Sequence, residues 1–294
     1  MPTPLDLAFA LLFTLVITTF DTIYFVPRFK AAVAAGVRGA RLHAYRRTVI
    51  GQWAFAAMAI LLWAHSGRSW SDLGVVRPAG SRMIVSAVII GLIVGLTAQQ
   101  VRAIGRTTPE RRLAIRPKLA YVDYLLPHSR EELRWFSAQS ITAGVCEELL
   151  YRGFLFWLLK AYVGVAAAAV IGVVLFGALH GHNQGESPVG LFSAGAVGLV
   201  FCISLWYTGS LWWAIGFHAA WDWGQTFFYG TPDSGMVARG HFLSEHPAGA
   251  LLWSGGPTGP EGSLYIVPLL IIMALAMWLW WRRKPVAGPY DTTA

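Results

Sequence analysis

Three formal charges fall within six residues of one apolar stretch, Ala143-Gly-Val-Cys-Glu-Glu-Leu-Leu-Tyr-Arg-Gly153: Glu147, Glu148 and Arg152. An ionisable group inside a membrane span costs a few kcal/mol or more, so such a group is a functional-site hypothesis by default. Read as a helix, the stretch puts Glu148 and Arg152 four residues apart on one face, with the acid on the favoured N-terminal side. They form a neutralised, structural pair. Glu147 lies about 100° further round the helix with no local partner, which makes it the working carboxylate. The plainer alternative is a solvated helix end at the membrane interface. The apolar runs on both sides argue against it.

Two further apolar runs carry polar groups. Val173-Val-Leu-Phe-Gly-Ala-Leu-His180 ends in a histidine four residues after Phe176. Ile215-Gly-Phe-His218-Ala-Ala-Trp-Asp222 places a His and an Asp four apart on one face. Taken singly, His180 reads as an interfacial residue. The His218–Asp222 pair, well inside a span, reads as functional ahead of the alternative that each group merely satisfies the other. Buried separately, these groups would be costly. Converging in one wet cavity, they satisfy one another. A carboxylate and two imidazoles without a Ser or Cys nucleophile suit activation of a water molecule. Desolvation would move the Glu147 carboxyl toward a general base.

The elements that must position these residues are transmembrane helices. The 294-residue chain is 55% hydrophobic and only 13% charged, with a mean hydropathy of +0.52. A soluble domain carries about 25% charged residues. The expected fold is all-α: a polytopic helix bundle of about eight spans enclosing a polar intramembrane cavity. The spans fall near 5–26, 48–65, 83–101, 136–160, 163–181, 188–206, 210–229 and 263–281. The organisation is then 1–135, N-terminal spans with basic loops; 136–229, core spans carrying the three motifs; and 230–294, a Gly/Pro-rich loop, the last span and a short tail. The first run, Leu5 to Val26, lacks a basic leader and is too long for a signal peptide, so it reads as a retained span.

The net charge of +8 sits largely in loops, which fits membrane orientation rather than nucleic acid. The basic connections 27–47 and 102–135 belong on the cytoplasmic side. Leu119-Ala-Tyr-Val-Asp-Tyr-Leu-Leu126 could lie on the membrane surface as an amphipathic helix. Eight spans would then put both termini outside, whereas Arg282-Arg283-Lys284 favours the inside. Trp206, Trp212 and Trp213 around the Tyr207–Ser210 link read as an interface belt. The loop 230–262 is long enough to be a lid over one membrane face, or a disordered surface loop. Cys146 and Cys202 read as reduced packing residues, with Cys146 a minor candidate nucleophile. His182, His241 and His246 read as loop or interface residues.

The ordered set Glu-Glu-x-x-x-Arg (147–152), Phe-x-x-x-His (176–180) and His-x-x-x-Asp (218–222) resembles the CAAX-protease and bacteriocin-processing family, intramembrane glutamate endopeptidases related to the prenyl-protein endopeptidase. The resemblance covers roughly 140–225. It implies a helical bundle with a conical cavity open to the cytosol. It makes Glu147 and His180 the pair that activates water, and His218 with Asp222 the pair that stabilises the oxyanion. Glu148, Arg152 and Phe176 would support the site. The family often has Asn where this chain has Asp222. An amide can donate to an oxyanion and an ionised carboxylate cannot. Either Asp222 holds a proton, or it orients His218 and leaves that ring to donate alone.

Other chemistries lack their motifs. No His-Glu-x-x-His, Gly-x-Ser-x-Gly, Gly-x-Gly-Asp, P-loop or dinucleotide fingerprint is present. The rival site chemistry is a divalent cation on His180, His218, Asp222 and Glu147. The resemblance favours a metal-free mechanism without cofactor. The expected partners are a peptide or protein substrate, with or without a lipid group, and membrane lipids, with no nucleic acid. The rival functions are a transporter or proton relay and a non-catalytic scaffold or immunity protein. The high Ala, Gly and Arg usage points to a bacterial inner membrane.

Overall fold

The computed structural model describes residues 1–76, 127–181, 183, 186–229, 231, 233 and 250–281. The expected span 83–101, the surface helix at 119–126, most of the lid at 230–249, the basic tail from Arg282, and His182, His241 and His246 lie outside the described residues. Among those described the chain is helical, without strands. Four helical runs are long and apolar enough to cross a membrane: Pro4–Ala34, Ala40–His65, Arg130–His180 and Pro188–Thr208.

The first two runs, α1 (Pro4–Ala34) and α2 (Ala40–His65), form an antiparallel pair. Thr3 caps α1 and exchanges hydrogen bonds with Asp6 in a capping box. Arg68, just beyond α2, grips Asp6 with two nitrogens, at 2.8 and 2.6 Å. At the other end Arg47 pairs with Asp21. Between these pairs Phe9 and Phe13 pack on Phe55.

The third run is α3 (Arg130–Glu147), a π-helical segment Glu148–Leu155, and α4 (Phe156–His180). Ser129 caps α3 by accepting from the Glu132 amide. Arg130 and Arg134, expected in a loop, therefore sit in its first turns. The run is not one rod. Gly164 has φ 79° and ψ 169°, a conformation that only glycine adopts without strain. The chain turns there, and α4 folds back on the π-helical segment, so that Phe176 meets the edge of Tyr151 at 5.5 Å. The two spans expected at 136–160 and 163–181 correspond to these two limbs.

Helix α5 (Pro188–Thr208) packs along α4, and α6 (Trp212–Trp223), continued by a π-helical turn at Gly224–Tyr229, packs on α3. Helix α7 (Ile266–Trp281) lies beside α5. Small residues permit the close packing. A Cβ on Gly177 would meet the Leu191 carbonyl oxygen at 2.7 Å, and one on Gly144 would meet the Ala219 nitrogen at 2.5 Å. Trp206 and Trp212 are exposed, as an interface belt requires, but Trp213 is buried and stacks on Phe217.

Contact order along the helices gives their directions. Tyr45 meets Phe136, Trp53 meets Thr142 and Trp63 meets Trp157, so α2 and α3 run the same way. His218 meets Glu148 while Leu211 meets Gly153, so α6 runs opposite to α3. The first connection, 35–39, and the start of α3 thus share one face, which is also where α4 ends and α5 begins.

Candidate active site

The π-helical segment Glu148–Leu155 is buried along its whole length and carries both Glu148 and Arg152. Such segments widen the helix and recur at functional sites. Glu148 is completely buried, and its Oε1 accepts from Arg152 Nη1 at 2.9 Å. The guanidinium is held on three sides. Phe176 lies under it at 3.8 Å, Phe201 is 5.5 Å away, and Gly198 leaves room for Nη2. The expected pair at 148 and 152 is therefore present, and Phe176 is part of its cage.

One contact was not legible from spacing. Glu148 Oε1 also faces His218 Nδ1 at 2.8 Å, across α3 and α6. Glu148 thus joins Arg152 to the His218–Asp222 pair. His218 Nε2 stands 3.6 Å from Asp222 Oδ2, beyond hydrogen-bond range but close enough to interact as charges. Phe176 and Phe201 pack on the His218 ring at 6.3 and 5.9 Å. Glu148 and His218 each already had a partner four residues away in its own helical segment, Arg152 or Asp222, so the sequence did not call for this link.

His180 ends α4, and its Nδ1 lies 2.8 Å from the Phe176 carbonyl oxygen. A carbonyl only accepts, so Nδ1 carries a proton, and Nε2 is the nitrogen that can act as an acceptor. This explains the spacing of the Phe-x-x-x-His motif: one turn of helix fixes the tautomer, while the Phe176 ring supports the imidazole at 4.7 Å. Glu147 accepts from Gln52 Nε2 on α2 at 3.2 Å, a partner outside the motif region.

Glu147, His180, His218 and Asp222 all line one cavity of about 810 Å³. Its walls are mostly apolar, with Phe55, Tyr151 and Leu270 among them. Glu148 and Arg152 stand behind the wall and Phe176 is in it. A second polar group closes the wall near Asp222. Trp221 Nε1 donates to Glu261 Oε1 at 2.7 Å, and Gln225 Nε2 reaches both Glu261 and Asp233 at 3.2 Å. Burial, and then the charges of Asp222 and Glu261, hold the Asp233 carboxyl well above the usual carboxylate range. Neither Asp233 nor Glu261 carried a sequence signal, because each lies in a Gly/Pro-rich stretch without periodicity. Cys146 is buried against the core rather than on the cavity. Among the described residues no three His, Cys, Asp or Glu side chains are grouped as metal ligands.

Residues 129–224 match the family model described as Type II CAAX prenyl endopeptidase Rce1-like. The matched span, about a third of the chain, contains all seven residues singled out from the three motifs, and the family is the one that those motifs resemble. Within it the chain is similar to CAAX proteases, which supports a CAAX protease-like enzyme held in a membrane by its apolar helices. No curated protein matches the chain, and no solved structure does.

Proposed function

We propose that the chain is an intramembrane endopeptidase that hydrolyses a peptide bond near the membrane surface by activating water, without metal or cofactor. The observation that carries the reading is one cavity wall shared by Glu147, His180, His218 and Asp222, which come from three separate helical limbs. Glu147 takes a proton from the water, and His180 Nε2 holds that water as the second acceptor. The water oxygen attacks the substrate carbonyl carbon. His218, anchored through Nδ1 to Glu148, offers a protonated Nε2 to the oxygen that becomes negative. Asp222, beside that nitrogen, orients the ring. The proton taken by Glu147 then passes to the leaving amine as the C–N bond breaks.

Glu148 and Arg152 supply no reacting atom in this scheme. They fix His218 and neutralise each other in a dry setting. The apolar walls suit a hydrophobic peptide or a lipid-bearing one, and the basic first connection, at the face where His180 ends its helix, favours access from the cytosol. The membrane is then a bacterial inner membrane.

The test is cleavage of a panel of membrane-tethered peptides, with and without a prenyl group, by the purified full chain before and after a strong chelator. Cleavage that survives the chelator is the expected result. Cleavage lost with chelator and restored by a divalent cation would transfer the water to a metal on His180, His218 and Asp222. A flux of protons or solute that tracks membrane potential, with no cleavage of any peptide, is what the transporter reading requires.

A further inference from the structure

We infer that Gln52 is a positioning residue of this site, supplied by a helix outside the matched span, and that its side-chain amide orients the Glu147 carboxylate toward the reacting water. The inference rests on the proposed role of Glu147. Gln52 stands on α2 and lines the cavity. Its Nε2 donates to Glu147 Oε1 at 3.2 Å. The adjacent Trp53 donates from Nε1 to Thr142 Oγ1 at 3.1 Å, so α2 is pinned to α3 beside the contact. The donor therefore sits on a fixed element and not on a loop.

The other half of the amide makes the case. Gln52 Oε1 is buried and has no protein hydrogen-bond partner among the described residues. An unsatisfied buried acceptor is costly, and a leucine or methionine of similar size would pack here without that cost. What glutamine adds is the N–H directed at Glu147. A carboxylate with one oxygen held by a donor loses its freedom to rotate, and its second oxygen is left to take the proton of the water. Nothing else in the motifs does this for Glu147, since Glu148, and not Glu147, holds Arg152 and His218.

The experiment compares wild type, Gln52→Leu, Gln52→Glu and Glu147→Gln as full-length chains in lipid nanodiscs. The leucine variant keeps the bulk and removes the donor; the glutamate variant keeps the shape and sets a second carboxyl against Glu147. Expected are kcat losses of up to about 100-fold in both Gln52 variants, the scale on which a misplaced reacting group loses rate, with KM near wild type in both and thermal unfolding near wild type in Gln52→Leu. In protein labelled with ¹⁵N-glutamine, the Gln52 side-chain resonance, assigned by its loss in Gln52→Leu, is expected to shift in Glu147→Gln. Wild-type kcat in Gln52→Leu, or an unmoved resonance, would overturn the inference while an inactive Glu147→Gln left the proposed function standing. Wild-type turnover by Glu147→Gln would instead remove the reading on which the inference rests. A kcat loss that merely follows loss of folded protein would mark Gln52 as a packing residue and also overturn it.

Discussion

At the scale of single residues, Glu148 and Arg152 depend on each other more than either does on the chemistry. Glu148 is fully buried and Arg152 is 4% exposed, so removing one strands the other. Arg152→Ala should cost about 3–5 kcal/mol, the range for breaking a buried ion pair from one side. Thermal unfolding in detergent reads this directly; a melting temperature like that of wild type would show that Glu148 is satisfied by His218 alone. Titration of Glu186 is a separate matter. Burial first, and then the charge of Glu261, pushes its carboxyl from 4.5 up to about 7. The folded chain therefore binds this proton more tightly than the unfolded chain. The stability it contributes is complete below about pH 4.5 and is lost as pH rises toward 7. Glu186→Gln should flatten that part of the stability-against-pH curve. If melting temperatures of the two proteins fall in parallel from mildly acidic to neutral buffer, another group is responsible.

At the scale of elements, the site depends on how closely α3 and α6 approach. The link from Glu148 to His218 lies at that interface, where Gly144 packs directly against the Ala219 backbone. Gly144→Leu should force the helices apart, with about 1–3 kcal/mol of overpacking cost, and should depress turnover well beyond the loss of folded protein because His218 leaves Glu148. Equal losses in turnover and folded yield would place the interface outside the catalytic geometry. The side-chain pairings four residues apart were legible from residue spacing: Glu148 with Arg152, and His218 with Asp222. The hold of the Phe176 carbonyl on His180 was not, and neither were pairings between elements. Gln52 with Glu147 and Glu148 with His218 are 95 and 70 residues apart, and nothing local announces them. The break expected at 161–162, between the spans 136–160 and 163–181, falls two residues short of the turn, which is at Gly164. The π-helical widening at Glu148–Leu155 has no hydropathy signature.

At the scale of the whole molecule, composition pointed to a membrane protein, because 55% hydrophobic residues cannot be covered by 13% charged ones in water, and apolar runs of about 20 residues pointed to helices rather than a barrel. The count of eight spans was a matter of apolar length; among the described residues four helical runs have that length, and one of them, Arg130–His180, covers two of the expected spans. Helix α6 has 12 residues before its π-helical turn, too few to cross by itself, yet it carries His218 and Asp222. Hydropathy placed it, with its π-helical turn, in the expected span 210–229, because apolar length alone does not separate a helix that crosses from a shorter one packed on its neighbours. The wall that holds Asp233 and Glu261 beside Asp222 came from stretches with no pattern to read. In the proposed function one cavity, with a carboxylate and an imidazole on one side and an imidazole and a carboxyl on the other, hydrolyses a peptide in the membrane. The most direct measurement is turnover of a cleaved membrane-tethered peptide by Glu147→Gln, matched to wild type for folded protein. The expected result is a loss of about 10²- to 10⁴-fold, the contribution of a positioned general base, with unfolding temperature and KM little changed. Turnover within a few-fold of wild type would contradict it and return Glu147 to a structural role.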